Sequence, residues 1–341
     1  MALIGVWVVG WLARLASIRA GDVASLASPG QVGGSSVFQT IGSLAFLATI
    51  VAMAVAARSP TDRWKIATVV FGTGEIVFAV ISGRKTFIAA IAVAWLLTRP
   101  PASRPIRWGV GVAVLGGFLL VALPVIQIDR TFQNAHKTAG DSHAFLHGLR
   151  DTPGGVIDHV GDIVTLKYPF RVLMRRTMTV EAVAAAVRYA PHFGFQYGRE
   201  WAIAAPTAFT PSAVWKGKPP LRLAEQFTYD YANAPRPSST VPPSVTGDLY
   251  VNFALPGVIV GWMLIGVLLR GLVALTGSGG VGATVVLATL FVYFLIGIEA
   301  TVSQIEVAVI QQGCMAAAVL LLLRLASMPR IVGAPRTEGA K

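Results

Sequence analysis

The sequence predicts an all-α polytopic membrane protein with about eight transmembrane helices and one large extracytoplasmic loop containing an amphipathic helix. Three observations carry this. Apolar runs of spanning length recur at both ends of the chain, and about 20 apolar residues suffice to cross a bilayer. Only 13% of the 341 residues are charged and 54% are hydrophobic, with a mean hydropathy of +0.65; soluble domains carry roughly 25% charge. Lys and Arg also collect in alternate short loops, the signature of a fixed orientation.

The apolar runs are roughly 1–18, 37–57, 64–82, 84–99, 107–127, 249–270, 281–298 and 303–324. The third and fourth are separated only by Gly83, which predicts a tight helical hairpin. With the N-terminus inside, the cytoplasmic connections hold Arg58, Arg63 and Lys65, then Arg99, Arg104 and Arg107, then Arg270, then Arg324, Arg330, Arg336 and Lys341. Outside the long loop, the opposite side holds Arg19, Arg84 and Lys85, with Arg14 near that end of the first segment. The bias predicts an N-in, C-in arrangement. The chain divides into N-terminal membrane helices (1–127), the outer loop (128–248), C-terminal membrane helices (249–325) and a cytoplasmic tail (326–341).

The net charge of +12 and pI near 10.3 would suggest nucleic acid in a soluble protein. Here the charge serves orientation, and no nucleic-acid-binding module is present. The single Cys, Cys314, lies in an apolar run, which excludes a disulfide framework and a cysteine metal site. All five His residues lie in the outer loop; His143 and His147 have helical metal-site spacing, but no acidic ligand follows at a recognised interval. No metal or other cofactor is expected. The signatures of serine hydrolases, phosphate-binding loops and zinc proteases are missing.

Within the loop, Pro169 and Pro191 bracket a helical stretch. Leu173, Val180, Ala184 and Val187 share one face, and Arg171, Arg175 and Thr179 another. Such a helix suits the membrane surface, or the core of a small outer domain. The Pro-rich segment 206–243 predicts irregular chain.

Several residues stand out chemically. Arg84 and Lys85 sit at the outer tip of the hairpin, where a forked guanidinium and an ammonium suit a diphosphate; snorkelling to lipid headgroups is the alternative. Arg171, Arg175 and Arg176 form a basic cluster that suits either a diphosphate or anionic lipid. Glu75 lies in the middle of an apolar segment and requires a partner or a wet cavity. Arg84, nine residues on, is about 13 Å away along a helix, so a direct pair within this segment is not expected; a functional group facing a wet cavity and a structural hydrogen bond to another helix are both open readings. Asp248 lies at the membrane edge of the loop beside Tyr250 and Asn252. It suits a general base or the N-cap of the helix that follows. Tyr197, Trp215, Tyr229, Tyr231 and Tyr250 suit stacking on sugar rings or anchoring at the interface.

Three stretches in order resemble the Wzy-type O-antigen polymerases, or oligosaccharide repeat-unit polymerases. They are Ser82-Gly83-Arg84; Pro191-His192-Phe193-Gly194-Phe195-Gln196-Tyr197-Gly198 with the following 209–219 segment containing Trp215 and Lys218; and Ser239-Thr240 with Gly247-Asp248-Leu249-Tyr250-Val251-Asn252-Phe253. The resemblance covers roughly residues 64–325. The chain departs from the family pattern at Ser212, where the family has Arg after Pro, at Asp248, where it favours Glu, and at Ala254, where it favours Gly. Family members usually have ten or more spans, and the apolar run here starts abruptly at Ala2 with no basic residue ahead of it; it reads as a spanning segment, native or the remnant of a longer start, and not as a cleaved signal peptide.

The resemblance implies a GT-C-like bundle in a bacterial cytoplasmic membrane, joining polyprenyl-diphosphate-linked oligosaccharide units at the outer face. Arg84 would stabilise the departing diphosphate, with Lys85, Arg171, Arg175 and Arg176 assisting. Asp248 would be the first candidate for the base and His192 the second. Tyr197, Trp215, Lys218, Tyr250 and Asn252 would contact substrate. Membrane lipids, a chain-length regulator and a flippase are the implied partners, and nucleic acid is not. An O-antigen ligase, a transporter and an envelope scaffold are the competing readings.

Overall fold

The computed structural model describes residues 2–19, 36–59, 61–81, 85–98, 178–210, 215, 217–219, 227, 243–277, 280–298 and 300–327. The elements there are all helical: α1 (Ala2–Arg19), α2 (Ser36–Arg58), α3 (Asp62–Ile81), α4 (Lys85–Thr98), α5 (Met178–Phe193), α6 (Arg199–Phe209), α7 (Ser244–Gly277), α8 (Val281–Gly297) and α9 (Val302–Ser327). Among the described residues, three stretches are long and apolar enough to cross a membrane: Thr40–Arg58, Ser244–Ala274 and Val302–Ala326. The shorter apolar helices are Ala2–Ala16 and Val281–Leu295. The expected segment 107–127 and hairpin turn 82–84 lie outside the described residues, although α3 and α4 do pack together.

α2 is the centre of the bundle, packed by α1, α3, α4, α8 and α9. Its sequence explains the position. It is apolar on every side, which marks a helix surrounded by others. Two of its polar side chains bond within the helix, Ser43 Oγ to Thr40 O (2.6 Å) and Thr49 Oγ1 to Ala45 O (2.9 Å). Ala45, Ala48, Ala52 and Ala54 are fully buried. Such small residues let membrane helices approach closely, where packing rather than water exclusion drives association. α1 reaches this surface through Gly10, whose missing Cβ leaves room for Ala45.

Glu75 of α3 finds its partner on α1. Arg14 grips it with two hydrogen bonds, Nη1 to Oε1 at 2.7 Å and Nη2 to Oε2 at 2.9 Å. The pair is enclosed, with side-chain exposures of 3% and 0%, so no competing water weakens it. The Arg14 guanidinium also lies 4.1 Å from the centre of the Phe78 ring, a cation–π contact. Gly42 and Gly74 make room: a Cβ would meet Arg14 Cγ at 3.0 Å in the first case and Trp7 Cζ2 at 2.7 Å in the second. Arg14 therefore belongs to the bundle interior and not to the outer loop charge.

The expected span 249–270 needs correction. Residues 249–252 belong to a different helical arm. α7 is broken at Phe253 (φ −139°, ψ 19°) and Ala254 (φ 56°, ψ −155°). Across the break, Trp262 Nε1 donates to Thr246 Oγ1 at 3.2 Å. In a straight helix those residues would stand about 24 Å apart. The short arm, residues 244–252, thus folds back against the long arm, residues 255–277. Gly261 gives space to the Leu249 side chain, and Gly257 to Phe253. Pro256 sits in the first turn of the long arm, where its missing N–H has no partner to lose. The long arm presents Leu255, Ile259, Val260, Met263, Leu264, Val267 and Leu268 outward, an apolar band suited to lipid.

Two other expectations change. α5 extends through Pro191 to Phe193 and stops at Gly194 (φ 84°), whose N–H bonds Ala190 O at 3.0 Å, a left-handed C-terminal stop. Its buried stripe is Ala182, Ala186 and Ala190, while Ala184 and Val187 face outward. The larger side chains suggest the wrong face because close approach to the short arm demands alanines: Gly247 lies where a Cβ would be 3.7 Å from Ala186 Cβ. The predicted helical residues 170–177 lie outside the described residues. α6 occupies part of the segment expected to be irregular. It runs through Pro206 and ends three residues later.

Two outcomes follow. Arg14→Met should lower stability by about 3–5 kcal/mol, because it strands the Glu75 carboxylate; Arg14→Met with Glu75→Leu should recover most of this, read by thermal unfolding in detergent. Ala254→Gly should raise stability by about 1 kcal/mol, since φ 56°, ψ −155° is a conformation reserved for glycine.

Candidate functional site

The site forms where the short arm of α7 meets α5, α6 and the start of α9. The short arm is apolar enough to be buried on most sides: Val245, Leu249 and Val251 are each under 5% exposed. Val245 and Leu249 pack with Ile305 of α9, Trp201 of α6 and Val258 and Trp262 of the long arm. Val251 packs with the alanine stripe of α5 and with Phe227.

Burying Asp248 in this setting requires donors, and three are supplied from three elements. Asn252 Nδ2 donates to Oδ1 at 2.6 Å from the next turn of the same arm. Trp201 Nε1 lies 3.3 and 3.4 Å from the two oxygens. The backbone N–H of Val302, the first residue of α9, donates to Oδ2. Asp248 does not cap its own helix, which begins four residues earlier at Ser244. It caps α9 instead, where a carboxylate is favoured by the unpaired N–H groups of a helix start.

The break in α7 frees carbonyls, and the α5–α6 turn takes them up. Gln196 N–H bonds Val251 O at 3.2 Å and Tyr197 N–H bonds Asn252 O at 3.3 Å. Gly198 N–H bonds Asn252 Oδ1 at 2.6 Å. Tyr197 is itself left-handed (φ 52°), so strained backbone lies on both sides of this seam. Rings gather over it. Tyr197 and Phe253 meet edge to face at 6.5 Å, Trp201 and Phe253 at 5.4 Å, and Phe195 and Tyr250 at 6.5 Å. Tyr197 is 72% and Phe253 40% exposed, leaving aromatic surface open to a ligand or to lipid.

Glu200 adds a second carboxylate. It lies in the first turn of α6, half-buried, and accepts a hydrogen bond from Ser303 Oγ at 3.1 Å. Ser303 Oγ in turn shares a 2.9 Å hydrogen bond with Thr301 Oγ1. Both carboxylates therefore converge on the same turn, residues 301–303, at the start of α9.

Of the residues singled out from sequence, Asp248, Tyr250, Asn252 and Tyr197 meet at this seam. His192 lies nearby in sequence, exposed in the last turn of α5. Trp215 and Lys218 form a turn closed by Lys218 N–H to Trp215 O at 3.1 Å. The Lys218 ammonium donates to Thr210 O at 3.1 Å, at the end of α6, and partial burial pulls its pKa below the usual lysine range. Arg84, Arg171, Arg175 and Arg176 lie outside the described residues, and Lys85 opens α4 with its side chain likewise outside them. Among the described residues no cluster of three His, Cys, Asp or Glu could hold a metal. Trp201, Glu200 and Ser303 are members that sequence reading missed, while Phe253 stood in the 247–253 stretch without being singled out. The adjacency of Glu200 and Trp201 to the 191–198 stretch was the signal pointing to those two.

Asp248→Ala should leave the Val302, Trp201 and Asn252 donors without their shared acceptor and destabilise by about 3 kcal/mol or more. Asp248→Asn, which keeps one acceptor oxygen, should lose less. Chemical unfolding of the two variants checks the order.

Comparison of this chain with protein-family models, with characterised proteins and with solved structures gave no match.

Proposed function

We propose that the chain is a membrane glycosyltransferase of GT-C type. It polymerises polyprenyl-diphosphate-linked oligosaccharide units into a surface polysaccharide at the outer face of a bacterial cytoplasmic membrane. One observation carries the reading. The two stretches that most resemble the repeat-unit polymerases, 191–198 and 247–253, are hydrogen-bonded to each other beside the α7 break. Carboxylates and exposed aromatic rings collect at that junction, beside apolar helices that suit a lipid-borne substrate. Sugars are bound by such mixtures: rings cover the apolar ring faces and acidic groups take the hydroxyls.

The reaction requires little beyond this and a set of cations. A hydroxyl of one unit attacks the anomeric carbon of the growing chain, and the bond from that carbon to the diphosphate oxygen breaks. Arg84, Lys85 and the Arg171, Arg175 and Arg176 cluster stabilise the charge left on the diphosphate. An acidic group at the seam accepts the hydroxyl proton, with His192 as the alternative.

A second reading, transport of a lipid-linked sugar, is favoured by the broken α7, since discontinuous helices mark transporter binding sites. Reconstitution separates the readings. Purified protein in liposomes with a polyprenyl-diphosphate-linked repeat unit should produce a glycan ladder, and Arg84→Ala should reduce its rate by roughly 100-fold or more. Transfer to an added lipid-core acceptor without a ladder would move the assignment to a ligase. Movement of the lipid across the bilayer without either product would move it to a transporter.

A further inference from the structure

We infer that the short arm of α7, residues 244–252, is a spring-loaded strap. It swings away from α5, α6 and α9 as a unit about a hinge at Phe253 and Ala254, and strained backbone at its margins favours that opening. The inference goes beyond the glycosyltransferase reading and does not depend on it.

Strain is concentrated around this one element. Among the described residues, the non-glycine residues with positive φ are Tyr197 (52°), Ser244 (62°) and Ala254 (56°). Ser244 opens the short arm, and Ala254 lies two residues past its end. Tyr197 donates its N–H to Asn252 O, the last carbonyl of the arm, at 3.3 Å. Ala254 is the most strained of the three, because φ 56°, ψ −155° suits glycine and crowds a Cβ. Such a conformation persists where its surroundings impose it. A hinge is a short segment that absorbs a large backbone change, and here two residues reverse the course of the chain.

The walls around the arm let it leave. Gly247 faces Ala186 and the Val183 backbone of α5, and Leu249 lies in the space that a Cβ on Gly261 would fill. Such small-residue walls offer little to interlock. Polar bonds hold the arm instead. Val245 N–H bonds Ile298 O at 3.2 Å, and Thr246 Oγ1 accepts from Trp262. Asp248 accepts from Trp201 and Val302. The Val251 and Asn252 carbonyls accept from Gln196 and Tyr197. Opening breaks these bonds together, so the closed arm is the main state and the open arm a minor one. The strain at Ala254 sets the size of that minority, because it is present in the closed state and lost in the open one.

The test uses the full chain in detergent, with Cys314→Ser removing the exposed natural thiol. Val251→Cys places a thiol of similar size on the arm at a fully buried position. Ala204→Cys places one at a fully buried position on α6, which packs against α9. Reaction with N-ethylmaleimide, normalised to the rate in SDS-unfolded protein, reads how often each thiol is uncovered. The Val251→Cys thiol should react at least about tenfold faster than the Ala204→Cys thiol, since a local opening exceeds general unfolding. Adding Ala254→Gly should slow the Val251→Cys reaction by about fivefold, the factor that matches about 1 kcal/mol of relieved strain. Equal rates at the two thiols would mean that the arm leaves only when the fold does, and would overturn the proposal. So would a fast Val251→Cys reaction that Ala254→Gly leaves unchanged or speeds. Where Val251→Cys fails to fold, Val245→Cys, 1% exposed on the same arm, gives the same reading. Glycan synthesis enters none of these measurements, so the glycosyltransferase reading stands or falls apart from them.

Discussion

The hydrogen bonds on Asp248 hold together three parts of the chain that are far apart in sequence. A carboxylate enclosed in apolar surroundings is strongly unfavourable without donors. The short arm of α7 can therefore be buried only when α6 brings Trp201 and α9 presents its first N–H. That requirement fixes where α9 begins, where α6 lies, and how far the short arm folds back on the long arm. The seam with residues 196–198 follows, because the carbonyls opened by the break need donors too. Each polar group has one way to be satisfied, and together these ways specify a single arrangement.

The Arg14–Glu75 pair plays a comparable part in the N-terminal helices, by a different balance. Gly10, Gly42 and Gly74 let α1 lie close against α2 and α3, but a small-residue surface alone permits sliding by a turn. The bidentate contact is satisfied in one register only. Charged groups inside membrane bundles usually mark transport or catalysis. Here stacking of Trp7 on Phe71 and the ring contacts around Arg14 enclose the pair among aromatic groups. Its position in a packed seam suits the setting of helix register.

Much of the helical layout was legible in the sequence. Long apolar runs gave α2, α8 and α9 within a few residues, because span length is a direct physical constraint. Glu75 was legible as a group needing a partner or a wet cavity, yet Arg14 counted only as a charge near the outer end of the first segment, because hydropathy does not say which helix lies alongside which. The short arm of α7 was hidden for a related reason. Residues 244–274 contain a window apolar enough to cross a membrane, the apolar run continues through Phe253 and Ala254 without interruption, and Gly257, Gly261 and Pro256 are weak marks of a fold-back. At the site, Asp248, Asn252, Tyr197 and Tyr250 were legible because their residue types are unusual beside a span. Glu200 and Ser303 were not, since an acid and a hydroxyl in polar segments look like ordinary surface until three helices converge on them. The glycine that the resembling family favours at position 254 also has a physical reading: the backbone there is left-handed, and alanine occupies it under strain.

The fold-back of α7 bears on the parity of the chain. An arm that turns back beside the helix it precedes enters and leaves on one side, so it adds apolar length without adding a crossing. Counting membrane passages from hydropathy alone would credit residues 244–274 with a long, strongly tilted span. The backbone instead divides that stretch into a short buried arm, 244–252, and a helix, 255–277, with an apolar outward face. Polar groups carried on the short arm can sit at membrane depth while still being reached from the side on which the arm began.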